Sequence, residues 1–196
     1  MAEIKVTREM VQELAETGAV QPPKEIWGNL DELYASMGRL SHRRFSIAYD
    51  FSEFAERPKG KALLPSAKEI IKLSGEDPAT YDTARVMGFT TVEADFNWHI
   101  DPEESRGGFS ILFVKNPDSR DRLLVGGRSR CRARDQEKTY SYKNGPIILT
   151  QRGFGTKMLQ NGQPSGATWH TGQRKAPARF GVVDIIPEVP KRTNQF

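Results

Sequence analysis

Residues 1–88 and the residues after them carry two different periodicities, and that change constrains the fold more than any single residue does. The first stretch is punctuated like helices. Thr7 can cap a helix whose Met10, Val11, Leu14 and Ala15 form one apolar stripe, with Gly18 at its end. Pro22-Pro23 predicts a second helix, with Ile26, Leu30, Leu33, Tyr34 and Met37 on one side and Gly38 closing it. Residues 43–51 alternate Phe45, Ile47, Tyr49 and Phe51, as a strand does. Residues 57–61, Arg57-Pro58-Lys59-Gly60-Lys61, read as a loop. Ser66-Ala67-Lys68-Glu69 reads as a capping box ahead of Ile70, Ile71 and Leu73, with Gly75 as terminator. Asp77-Pro78 supplies an N-cap and first-turn proline for a short helix reaching Gly88.

From about Phe89 the chain reads as short strands separated by glycine-rich turns. Thr91–Trp98, Phe109–Val114, Leu123–Val125, Pro146–Thr150 and Arg179–Ile186 are extended in character. Gly126-Gly127 and Asn161-Gly162 are turn signals. Helices first and strands later, without regular alternation, argue for an α+β fold with a barrel or sandwich and against a doubly wound sheet. A chain of 196 residues suits one domain with a helical extension.

Composition narrows the setting. A single cysteine, Cys131, excludes an internal disulfide and suits a reducing, cytoplasmic location. No apolar run is long enough to span a bilayer, and Met1-Ala2-Glu3-Ile4-Lys5 does not begin a secretory signal. The formal charge of +4 is a mild basic bias that permits a polyanionic partner without requiring one.

Two of the three histidines sit in an arrangement that carries chemistry. In His99-Ile100-Asp101 the first and third side chains share one side of an extended strand, so both can reach one metal ion. His170 would arrive from a second strand folded beside the first. Two imidazoles and one carboxylate can occupy one face of an octahedral Fe(II) and leave three positions open. The competing reading makes His99 and His170 ordinary half-buried histidines, each beside a tryptophan, Trp98 and Trp169.

His-x-Asp, the distal histidine, and Arg179 nine residues beyond it at the head of an apolar strand resemble the Fe(II)/2-oxoglutarate-dependent dioxygenases. The resemblance covers roughly residues 90–187. It implies a double-stranded β-helix, or jelly roll, over residues 89–187, preceded by a mainly helical region at 1–88 and followed by a tail at 188–196. It also implies Fe(II) held by His99, Asp101 and His170, and 2-oxoglutarate gripped at its far carboxylate by Arg179, with Arg174 as the fallback. The implied reaction is hydroxylation of a substrate that the sequence does not name. Many members carry a Tyr or Asn ahead of the first histidine; only Asn97 is near here, and no role is assigned to it.

Arg128, Arg130, Arg132 and Arg134 alternate with Ser129, Cys131 and Ala133. On a strand the four guanidinium groups would line one face and could track a phosphate backbone, or form a solvated outer surface. They make a nucleobase or nucleic acid one candidate substrate. They also support the alternative of a non-enzymatic nucleic-acid-binding or viral structural β-domain. Asp101-Pro102-Glu103-Glu104 reads as a solvated loop and His42 as a surface residue. Phosphate-loop and serine-nucleophile motifs are absent, and Cys131 has no base beside it in the sequence.

Overall fold

A computed structural model describes residues 5–37, 45–73, 75, 77–91, 98–99, 108–127, 137–150, 168–173 and 178–187, with the backbone alone at 45–46, 88–91, 178–179 and 187. Four α-helices are described: α1 (Arg8–Thr17), α2 (Leu30–Ser36), α3 (Phe51–Glu56) and α4 (Pro58–Leu73). Nine strands are described: β1 (Ala19–Val20), β2 (Phe45–Asp50), β3 (Tyr81–Thr91), β4 (Phe109–Lys115), β5 (Arg122–Val125), β6 (Lys138–Ser141), β7 (Ile147–Thr150), β8 (His170–Gln173) and β9 (Ala178–Pro187). They form a six-stranded sheet, ordered β1-β7-β4-β9-β3-β2, and a three-stranded sheet, β6-β5-β8. Every named pairing is antiparallel. The result is an α+β jelly roll with N-terminal helices. Residue 88, the expected regional boundary, lies inside β3.

Several sequence signals act where they were read. Thr7 accepts from the Met10 N–H and caps α1, and Gly18 ends it at φ +86° with its N–H on the Leu14 carbonyl. Gly75 follows α4 at φ +82°. Asp77 accepts from Ala79 N, and Pro78 opens a 3-10 turn.

Other elements depart from the local signals. The helix expected after Pro22-Pro23 is a 3-10 turn, Lys24–Ile26, followed by a break at Trp27. Asn29 then caps the separate helix α2 through the Glu32 N–H. Phe51, expected to end a strand, begins α3. Residues 57–61 are not a loop: α4 starts at Pro58, and Gly60 is needed because a Cβ there would meet the Phe54 carbonyl. Ser66 is therefore interior to α4, and its hydroxyl donates to the Ile26 carbonyl instead of capping. Only Pro78–Thr80 of the helix expected to reach Gly88 is helical. Tyr81 onward pairs on both sides, with β2 and with β9, so two hydrogen-bonded ladders override the local helix signal.

The six-stranded sheet has a different layer on each face. Ala84, Val86, Phe109, Ile111, Phe113, Ile148, Val183 and Ile185 pack with Leu14, Leu33, Phe54, Leu63, Ile70 and Ile71 of the helices. The alternate residues Leu112, Val114, Ile147, Leu149, Phe180 and Val182 pack with Leu123, Val125, Tyr140 and Tyr142. Leu123, Val125 and Tyr140 belong to the facing three-stranded sheet, so the two sheets form the sandwich and the helices cover its larger outer face. Tyr140 also ties the smaller sheet to α1: its hydroxyl lies 3.0 Å from Glu13 Oε1 and 3.0 Å from the Ala19 carbonyl. Burial pushes that hydroxyl's pKa up, against the opposing Thr17 hydrogen bond, and keeps it protonated as a donor.

Candidate metal centre and its surroundings

The two histidines meet across one antiparallel bridge. His99 N donates to the His170 carbonyl and His170 N donates to the His99 carbonyl, both at 3.0 Å. Residues directly opposite in such a pair project to the same face. On its other side His170 is paired with Val125, which packs between the sheets. The histidines therefore project inward. His170 is buried and His99 half-buried, with ring centroids 4.3 Å apart and planes inclined by 55°.

The His170 tautomer follows from its neighbour. Its Nδ1 lies 3.0 Å from the Thr168 carbonyl, which can only accept, so Nδ1 carries the proton. One ring nitrogen held on a backbone carbonyl is the arrangement usual for a metal-binding imidazole. The β5–β8 ladder continues beyond the named strands: Gly126 N donates to the Trp169 carbonyl and Trp169 N to the Gly127 carbonyl. Gly126-Gly127 thus supports the strand that presents His170, with Gly127 at φ +80°.

Asp101, the third expected metal ligand, lies outside the described residues. So do Arg174 and the arginines at 128, 130, 132 and 134. Arg179 is the second residue of β9, and its backbone stands opposite Thr90 of β3 and Lys115 of β4. Among the described residues no three His, Cys, Asp or Glu side chains gather as a metal site.

One inward-facing polar group was not anticipated from the sequence. Arg85, Asp184 and Ser110 form a single rung across β3, β9 and β4. Arg85 Nε and Nη2 donate to Asp184 Oδ2 at 3.1 and 2.8 Å, and the Ser110 hydroxyl donates to Oδ1 at 2.7 Å. Asp184 is 2% exposed. The clue was a lone carboxylate inside the apolar run Val182–Ile186, but its partners come from distant strands.

No protein-family profile matches the chain, and no curated protein is significantly similar to it in sequence. Solved structures are informative at the level of fold. A Pseudomonas putida prolyl-4-hydroxylase superposes with a TM-score of 0.57 at 12% identity, over 93% of this chain and 98% of that one. A 2OG-Fe(II) oxygenase family oxidoreductase from Burkholderia pseudomallei gives 0.55 at 12% identity, over 95% and 98%. This is the fold of the 2-oxoglutarate/Fe(II) oxygenases. A Trichoplax adhaerens prolyl hydroxylase, solved with a hypoxia-inducible-factor peptide fragment, gives 0.50 at 13% identity over 91% and 88%. The oxygenase fold thus spans nearly the whole chain, helices included. Its inner face carries two imidazoles, one with its Nδ1 on a backbone carbonyl, and imidazole is a donor suited to Fe(II).

Proposed function

We propose that the protein is an Fe(II)- and 2-oxoglutarate-dependent oxygenase that hydroxylates its substrate. The observation that carries this reading is the His99–His170 bridge on the inner face of an oxygenase fold. His99 and His170 would hold the metal with Asp101, the carboxylate that the His-x-Asp spacing supplies. Arg179 would grip the far carboxylate of 2-oxoglutarate, with Arg174 as the fallback. Once loaded, the site would couple oxygen activation to 2-oxoglutarate decarboxylation, giving succinate, carbon dioxide and a hydroxylated product. The chain's part is to fix the ligands, present His170 Nε2, and keep bulk water out with the apolar residues between the sheets.

Two of the structural neighbours are prolyl hydroxylases, which makes a peptidyl proline the first substrate class to try. A nucleobase is the second, on the strength of the alternating arginines at 128–134.

The test is metal analysis of protein purified without oxygen, followed by a 2-oxoglutarate decarboxylation assay. Wild type should take up Fe(II) and release carbon dioxide from 2-oxoglutarate. His99→Ala should abolish both while remaining folded. A wild-type protein that takes up no metal would end the proposal.

A further inference from the structure

We propose that Thr168 is a positioning residue for His170 and that the C-terminal cap of α1 holds Thr168 in place. The inference rests on reading His170 as a metal ligand and adds what fixes its tautomer. Thr168 is fully buried. Its backbone carbonyl receives His170 Nδ1–H, and its side-chain hydroxyl donates to the Thr150 carbonyl at 2.7 Å. The hydroxyl also sits 3.4 Å from the Gly18 carbonyl, which in turn accepts the Thr150 N–H at 2.8 Å. Gly18, Thr150 and Thr168 are thus locked together around two carbonyls and one hydroxyl.

The lock leaves no room at residue 18. A Cβ on Gly18 would collide with Thr168 Oγ1 and Cγ2, and φ +86° disfavours any other residue as well. The glycine that ends α1 therefore does two things: it terminates the helix and lets Thr168 pack against the cap. With its side chain pinned, Thr168 has one carbonyl direction to offer His170. Free histidine in water favours the Nε2–H tautomer, which would block the nitrogen needed for a metal. The Thr168 carbonyl selects the opposite form. The N-terminal helix thereby reaches the metal ligand through one residue, in addition to covering the sheet.

The tautomer can be read without metal or turnover, by long-range proton–nitrogen NMR of histidine-labelled apoprotein above neutral pH. His170 is assigned as the signal missing from His170→Gln. Wild type should show His170 as the Nδ1–H form. Thr168→Val removes the hydroxyl at nearly constant shape. It should mix the two tautomers and weaken Co(II) binding, measured against a competing chelator, by about 10- to 100-fold, as loss of a ligand's orienting partner does. Thr168→Ser should restore both. Gly18→Ala should shift the same signal, whereas Leu14→Ala, which loosens α1 without touching these atoms, should not. An Nε2–H tautomer in wild type overturns the proposal, and that measurement needs no variant to fold. Wild-type tautomer and affinity in Thr168→Val overturn it too, and an unshifted Gly18→Ala signal removes the helix from it. Failure of wild type to bind Co(II) would count against the metal reading, while the tautomer would still decide the Thr168 link.

Discussion

The two faces of the six-stranded sheet are built to different rules. The face under the helices is apolar row after row, with Ile111, Val183, Ile185 and Ile148 all nearly inaccessible. The inner face mixes apolar residues with the Arg85–Asp184–Ser110 rung and looks across to the sheet that carries the histidines. Non-directional burial stabilises the outer face, and many side chains would serve there. The inner face adds to the same kind of burial, in Val114, Ile147 and Leu149, a rung that depends on hydrogen-bond geometry, where each polar atom needs a specific partner. The helix-covered face of the six-stranded sheet is thus apolar throughout, while its other face, which looks toward the histidines of the smaller sheet, combines an apolar core with one buried polar rung.

The sharpest way to break that comparison is Asp184→Ala, which leaves the Arg85 guanidinium without its buried carboxylate. It should cost roughly 3–5 kcal/mol in urea denaturation. Replacing both partners with apolar residues, Arg85→Met with Asp184→Leu, should recover most of that loss, since a buried ion pair adds little net stability over good packing. A single mutant within 1 kcal/mol of wild type would show that the rung is not a coupled unit. The outer face should respond in proportion to volume. Ile111→Val, which deletes one methylene, should cost about 1 kcal/mol, with Fe(II) uptake by the folded protein unchanged. A change in metal uptake there would blur the division between the faces. The smallest effect should come from Lys138→Ala, which removes a half-exposed ion pair with Glu13 at 3.3 Å. Its cost should stay under about 1 kcal/mol and shrink further in high salt, measured as the salt dependence of the denaturation midpoint. A larger loss would mean that the tie between α1 and the smaller sheet rests on charge more than on the buried Tyr140.

The sequence by itself determined the features governed by neighbours in the chain. Thr7 and Gly18 bound α1, Asp77 and Pro78 start a turn, and apolar runs become β4, β5, β7 and β9, because caps, turns and strand periodicity act over a few residues. His-x-Asp, the distal histidine and the following arginine were also legible, and the oxygenase fold they implied is the one found. Tertiary structure decided the rest. Gly60 became a packing contact inside a helix, Ser66 a donor to a distant carbonyl, and Tyr81–Thr91 a central strand. In each case a partner remote in sequence offered more than the local signal did. The same holds around His170, whose Nδ1 meets the carbonyl of Thr168, itself held by Thr150 and packed on the cap of a helix near the other end of the chain. Residue spacing can nominate a ligand, but a tautomer is set by whichever carbonyl the fold brings to the other ring nitrogen.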